Sequence, residues 1–302
     1  MGVTVILVHA DEVPMGAVGV GGGRPGTWET RTIFNEEIGI ETFNLMIYYT
    51  DGSFTSPRHH HNFDQYRYQI AGLGGFAGDG DMTPGMLGYF PEGAYYGPQT
   101  ETGQTVWVLQ FGGPSGAGKM TGSEARAAQA QMRIEGVIEG GIFKRNEGVE
   151  GRRNQDSAEA VWEYAKKRKL IYPKPQYERP VMMDTNNCPW IPTDRIGVSE
   201  RALGTFTSAK MKAATFKLEP GSSFTLGGRA VIMIISGEGE VDGQGYREQT
   251  HLYLADDEQV TFSADKITEI LYTGLPSHDY LTAAAHAAGF DASEEDLADS
   301  AV

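Results

Sequence analysis

The stretch that decides the fold runs from Pro57 to Gly72 and reads P-R-H-H-H-N-F-D-Q-Y-R-Y-Q-I-A-G. Side chains alternate across a strand, so His59 and His61 face the same way. With a regular strand beyond the Asn62-Phe63-Asp64 corner, Gln65, Arg67 and Gln69 share that side, and Tyr66, Tyr68 and Ile70 take the other. A polar face of this kind would ordinarily meet water. Histidines feeding into it point instead to a polar cavity, because two imidazoles on one face can offer their lone pairs to a single metal ion. The other reading is that both rings are hydrogen-bonded interior residues of a pocket without metal. His60, between them, points the opposite way and reads as a surface or interface residue.

Outward from this stretch the chain reads as short strands and turns. Residues 3–8, 28–34 and 43–50 are expected strands, rich in β-branched and aromatic residues, and T-V-W-V-L-Q-F at 105–111 closes the first β unit. The glycine-rich loop from Gly16 to Gly26 is not followed by a helical pattern, so it reads as a connection and not as a dinucleotide fingerprint. G-P-S-G-A-G-K-M-T at 113–121 is one residue short of a P-loop and has Met120 where a magnesium-binding Ser or Thr belongs, which makes it an exit loop. Helices are expected over Ser123 to Ile134, capped by Thr121 or Ser123, and over Ser157 to Lys169, capped by Asp156. Pro173 to Pro180 is an extended linker, and Trp190-Ile191-Pro192 opens a second run of strands at 208–217, 222–226, 229–236, 251–255, 258–263 and 267–273. The last twelve residues carry five acids and no base, the pattern of a solvated tail.

A length of 302 residues suffices for two domains, each with its own core, and forty glycines suit a fold of many tight turns. The formal charge of −15, without a compensating basic patch, argues against nucleic-acid and anionic-membrane partners. The single cysteine, Cys188, allows no intrachain disulfide and fits a reducing compartment. There is no apolar run long enough to span a bilayer, and the N-terminal residues lack a basic leader, so a cytoplasmic protein is expected.

The central stretch resembles the first motif of the cupin superfamily, which runs Gly, His-x-His, Glu, Gly. The matching residues are Gly52, His59, His61 and Gly72, with Gln65 in the place of the Glu. Gly85, Pro91 and Gly93 match the second motif, with Tyr96 in the place of its histidine. In the second half, aligning Gly237 with the motif's closing glycine puts Ala230 at the Glu position and Phe224 and Leu226 at the two His positions, and the third ligand falls near Val260. That half therefore resembles a cupin unit whose ligands have been replaced by packing residues. The resemblance implies an all-β protein of two jelly-roll-like cupin barrels (double-stranded β-helices) with a short helical insert. The expected segments are an N-terminal unit at 1–118, an insert and linker at 119–185, a degenerate C-terminal unit at 186–285 and a tail at 286–302.

The layout is similar to bicupins of the gentisate and hydroxynaphthoate ring-cleaving dioxygenase kind. This implies a metal-dependent oxidoreductase acting on a small anionic compound, aromatic or not, in the N-terminal barrel. His59, His61, Gln65 and Tyr96 would hold a divalent ion (iron, manganese, nickel or zinc), Tyr96 and Arg67 would be catalytic, and Arg67, Gln69 and Tyr95 would bind substrate. A buried guanidinium has to be compensated, for Arg67 either by an internal acid such as Glu92 or Asp64 or by a substrate carboxylate held bidentately. Two alternatives stand beside this: a metal-free cupin that binds or isomerises a small polar ligand through Tyr96, His59 and His61, and a non-catalytic bicupin. The expected partners are a small molecule and, from the open sheet edges, a second copy in a homodimer.

Overall fold

Alternation in the sequence turns directly into burial. In F-N-L-M-I-Y-Y-T, Phe43, Leu45 and Ile47 are buried while the residues between them are partly exposed. The computed structural model describes residues 5–16, 26–40, 42–115 and 119–287. Most of the glycine-rich loop, residues 116–118 of the P-loop-like segment and the acidic tail from 288 lie outside the described residues.

The chain divides into two units, residues 15–182 and residues 1–14 together with 183–287. The first strand, β1 (Ile6–His9), was expected to open the N-terminal unit. It instead pairs antiparallel with Thr250–Leu254 and so edges the C-terminal sheet. Nothing local to I-L-V-H specifies which sheet it joins.

The 15–182 unit is built on one eight-stranded sheet. Its strands are β2 (Trp28–Phe34), β3 (Phe43–Thr50), β4 (Thr55–Ser56), β5 (Asp64–Gly75), β6 (Asp81–Met82), β7 (Met86–Phe90) and β8 (Gln99–Phe111). The helical insert follows: α1 (Gly122–Glu135), a small sheet of β9 (Gly136–Glu139), β10 (Ile142–Arg145) and β11 (Asn154–Asp156), then α2 (Ser157–Lys166). With β12 (Val181–Asp184), the order is β12-β7-β5-β8-β3-β2, with β4 beside β8 and β6 beside β5. Thr121 caps α1 in a capping box with Glu124, and the Asp156 side chain accepts from the Ala158 and Glu159 amides at the start of α2. The second helix stops short of its expected end because Lys167 adopts a left-handed conformation, φ 53°. Apolar residues of both helices and Phe143 form a small core, and the insert belongs to the same unit as the N-terminal strands.

β5 and β8 form the centre of this sheet, and their pairing is irregular in two places. The register steps from Gln69↔Val106 to Ala71↔Thr105, and from Gly72↔Gln104 to Gly74↔Glu101. The second step leaves an extra residue on β8 next to Gly103. Such a bulge reverses side-chain parity, so Glu101 and Gln104 come to the same side despite odd spacing. Gly72, the closing glycine of the motif, has φ +72°, and a Cβ there would stand 1.9 Å from the Gly103 carbonyl oxygen. Only glycine fits.

The other unit contains β13 (Ile191–Pro192), β14 (Val198–Phe206), β15 (Met211–Leu218), β16 (Ser223–Gly227), β17 (Ala230–Ser236), β18 (Gly239–Val241), β19 (Gln244–Tyr246), β20 (Thr250–Leu254), β21 (Gln259–Ala264), β22 (Thr268–Gly274) and α3 (His278–Ala287). They form a seven-stranded sheet, β1-β20-β17-β22-β15-β14-β13, and a four-stranded one, β16-β21-β18-β19. The units are thus jelly-roll-like arrangements of open sheets, not continuously bonded barrels. Leu226, Ala230 and Val260, at the positions of the motif ligands, are buried in one apolar cluster with Phe224 packed against it. Leu226 and Val260 are direct cross-strand partners.

Candidate functional site

The inward face of β5 is the polar one. Gln65 and Arg67 open onto a cavity of about 330 Å³ within the 15–182 unit. Trp28, Tyr48, Thr50 and Phe54 form one wall, β8 contributes Gln99, Glu101, Gln104 and Gln110, and His61 stands at the entry to β5. The insert closes the remaining side with Met120, Ala125 and Gln129 from α1 and its approach, and Ser157, Ala158 and Val161 from α2. The lining combines an aromatic wall, five glutamine amides, one guanidinium and one carboxyl group.

Arg67 organises this interior. It is 8% exposed, and its guanidinium donates from Nε to Gln65 Oε1 (3.0 Å), from one terminal nitrogen to Gln99 Oε1 (3.2 Å) and from the other to the Tyr96 hydroxyl (3.0 Å). Three of the five N–H donors of the group are thereby used. The cation also lies over Phe90, 4.6 Å from the ring centroid, with Phe76 and Tyr96 at 5.3 and 5.4 Å. Among the described residues it makes no direct ion pair.

The internal acids expected to neutralise Arg67 are engaged elsewhere. Asp64 accepts from the Glu92 amide (2.7 Å), and Glu92 accepts from the amide and hydroxyl of Ser115. Burial pushes both carboxyls up, Asp64 to about 8. The acid linked to Arg67 is Glu101, and the link is indirect: Gln99 accepts from Arg67 and donates through Nε2 to Glu101 Oε1 (2.6 Å). Burial raises the Glu101 carboxyl, while Thr50, Gln99, the Arg67 charge and Gln104 pull it back. Glu101 is not legible in the sequence because Q-T-E-T-G-Q has no apolar residue to show an alternation and the bulge conceals its parity.

The expected site residues divide into those at the cavity and those turned away. His61, Gln65 and Arg67 line it. His59 is buried behind it, exchanging backbone hydrogen bonds with Tyr96 (3.1 and 3.0 Å), with its ring 4.9 Å from that of His61 and 4.5 Å from that of Tyr96. Two expected substrate contacts fall elsewhere. Gln69 turns onto its own strand, donating to the Ala71 carbonyl (2.8 Å), and Tyr95 is 50% exposed and stacks on His60 at 4.0 Å. His60 itself is sandwiched between Tyr95 and Tyr172, and desolvation pushes its imidazole down.

The donor set suits the expected metal ion only in part. His59 Nδ1 lies 2.7 Å from the Pro57 carbonyl, an arrangement that fixes Nε2 as the lone-pair nitrogen and is usual behind a metal ligand. The other two expected ligands do not fit. Gln65 Oε1 and the Tyr96 hydroxyl both accept from the same guanidinium, so a cation is already held by the atoms meant to hold the metal. Among the described residues no three His, Cys, Asp or Glu side chains come together as a metal-binding group. Two imidazoles without those two donors make a poor divalent site.

The fold is that of a two-unit cupin. Across about nine-tenths of its length the chain is similar to a candidate dioxygenase from Nostoc punctiforme (TM-score 0.60, 10% identity, covering 91% of this chain and 84% of that one). It is also similar to a candidate glyoxylate-induced protein from Pseudomonas aeruginosa (TM-score 0.57, 10% identity, 91% and 90% covered) and to a variant of Bacillus subtilis oxalate decarboxylase (TM-score 0.54, 14% identity, 90% and 77% covered). No family model matches the sequence, and no curated protein matches it. At these identities the likeness establishes the architecture and not an activity. Among the described residues no helix is long and apolar enough to cross a membrane.

Proposed function

We propose that the 15–182 unit binds a small carboxylate-bearing molecule in its cavity without a metal ion, with the Arg67 guanidinium as the resident cation. One observation carries this reading: a buried guanidinium borders a cavity of about 330 Å³, held by three neutral acceptors and, among the described residues, without a direct ion pair. Gln65, Gln99 and Tyr96 fix the plane of the group, and its remaining donors suit the two oxygens of a carboxylate. Trp28, Tyr48 and Phe54 offer apolar faces to the ligand's body, and the amides of Gln104, Gln110 and Gln129 offer donors and acceptors to its polar substituents. His61 and Glu101 are the titratable groups within reach for proton transfer.

The metal-dependent, dioxygenase-like reading keeps one observation in its favour, the orientation of the His59 ring by the Pro57 carbonyl. Calorimetric titration with acetate, glycolate and benzoate, each against its neutral amide, separates the two. Carboxylate binding that is lost in Arg67→Met and absent for the amides supports the proposal. Absence of binding by all three acids, or equal binding of acid and amide, overturns it.

A further inference from the structure

Resting on that reading, the bridge from Arg67 through Gln99 to Glu101 constrains how an anion can enter. Arg67 Nη1 donates to Gln99 Oε1 and Gln99 Nε2 donates to Glu101 Oε1 at 2.6 Å, so the amide couples the cation to the acid without letting them touch. With Glu101 ionised, the two charges cancel and the cavity is neutral. A carboxylate placed on Arg67 then leaves one uncompensated negative charge in a space walled by Trp28, Tyr48, Phe54, Val106 and Val108. Burying such a charge is costly, and the cheapest remedy is a proton on an acid already disfavoured as an anion.

We infer that a carboxylate binds at Arg67 together with one proton, which Glu101 receives. The bound state then contains one cation, one ligand anion and a neutral acid, and its total charge equals that of the empty cavity. The other groups facing Glu101 do not compete for this role. Thr50 and Tyr48 come from β3, Gln99 and Gln104 from β8, and neither helix presents a titratable side chain to the lining. His61 is the other lining group able to accept a proton. Burial already favours the neutral form of Glu101, and occupation of Arg67 neutralises one of the influences that oppose this, the nearby positive charge. The site therefore selects monoanions. A second carboxylate on the same ligand would have no second cation and only one proton acceptor.

The test is calorimetric titration of the wild-type chain with benzoate in two buffers of different ionisation enthalpy, from about pH 6 to about pH 8.5, where benzoate stays ionised. The expected result is uptake approaching one proton per benzoate, with Kd rising about tenfold for each pH unit above the point where empty Glu101 ionises. In Glu101→Gln the uptake disappears, the profile is flat and binding at the alkaline end is tighter than in the wild type. Infrared difference spectra of the wild type alone give a check that needs no variant: benzoate binding should add a protonated carboxyl band. Benzoate binding without proton uptake overturns this inference and leaves the carboxylate site standing. Uptake that survives in Glu101→Gln and vanishes in His61→Asn moves the proton to the imidazole and overturns it too. Failure of acetate, glycolate and benzoate to bind at all overturns the underlying reading, and this one with it.

Discussion

Replacing Arg67 with methionine removes the cation but keeps most of the side chain's length. Three acceptors lose their donor: Gln65 Oε1, Gln99 Oε1 and the Tyr96 hydroxyl. Gln65 and Gln99 border the cavity, so water can replace the guanidinium at both. Tyr96 is buried in a cluster with Phe76, Met82 and Phe90, so its hydroxyl suffers most, by about 1–3 kcal/mol. Loss of the cation from the face of Phe90 adds about 1 kcal/mol. Glu101 loses its favourable charge and its carboxyl rises further. Relief from holding a desolvated guanidinium offsets part of this, leaving about 1–3 kcal/mol of net destabilisation. For a unit of this size that is a fall in Tm of about 2–12 °C. Arg67→Lys should lose about half as much, because an ammonium keeps the charge but cannot fork to all three acceptors. Urea unfolding and calorimetry measure both variants. An Arg67→Met protein within about 0.5 kcal/mol of wild type, or more stable than it, would refute the view that the guanidinium organises this interior.

Other outcomes follow from particular residues. His251 is fully buried in the C-terminal unit, and desolvation pushes its imidazole down to about 3. The unfolded chain therefore takes up a proton that the folded one refuses, and stability falls as pH drops from about 6.5 toward 3, by on the order of 5 kcal/mol in all. His251→Phe should flatten that part of the pH–stability curve measured by urea titration. Asp64 runs the other way: burial raises its carboxyl to about 8, so the folded chain holds a proton that the unfolded one has released, and stability falls as pH rises between about 4 and 8. Asp64→Asn, whose amide oxygen can still accept from the Glu92 amide, should remove that slope and be more stable than wild type at pH 8. Gly72→Ala should be poorly folded, because its Cβ meets the Gly103 carbonyl; near-native stability in a denaturant titration would contradict the reading of that turn.

Much of this was legible in Pro57–Gly72. The two-residue period places Gln65 and Arg67 on one face and Tyr66 and Tyr68 on the other, and the polar face is indeed the one lining a cavity. The apolar residues at the ligand positions of the second half were equally readable, and they fill a core. The metal expectation rested on Gln65 and Tyr96 being available as donors, whereas Arg67 engages both; a motif gives the order of residues but not which of them bond each other. Glu101 was hidden by a bulge, a backbone event set by pairing with β5 and not by the residues around it. Tyr95 and Tyr96 are adjacent and therefore take opposite sides, so only one of them could face inward. Both helices were visible from their caps and spacing, but their seating over the cavity depends on the core they share with Phe143. β1 joins a partner more than two hundred residues away, a contact for which the four-residue strand carries no local signal.

Which cation the cavity uses, the guanidinium or a metal ion, is decided by chelation. Benzoate affinity should be the same before and after exhaustive treatment with a divalent-metal chelator, because Arg67 needs no ion to bind a carboxylate. Affinity that vanishes on chelation and returns with an added divalent metal would contradict the account and restore His59 and His61 as ligands.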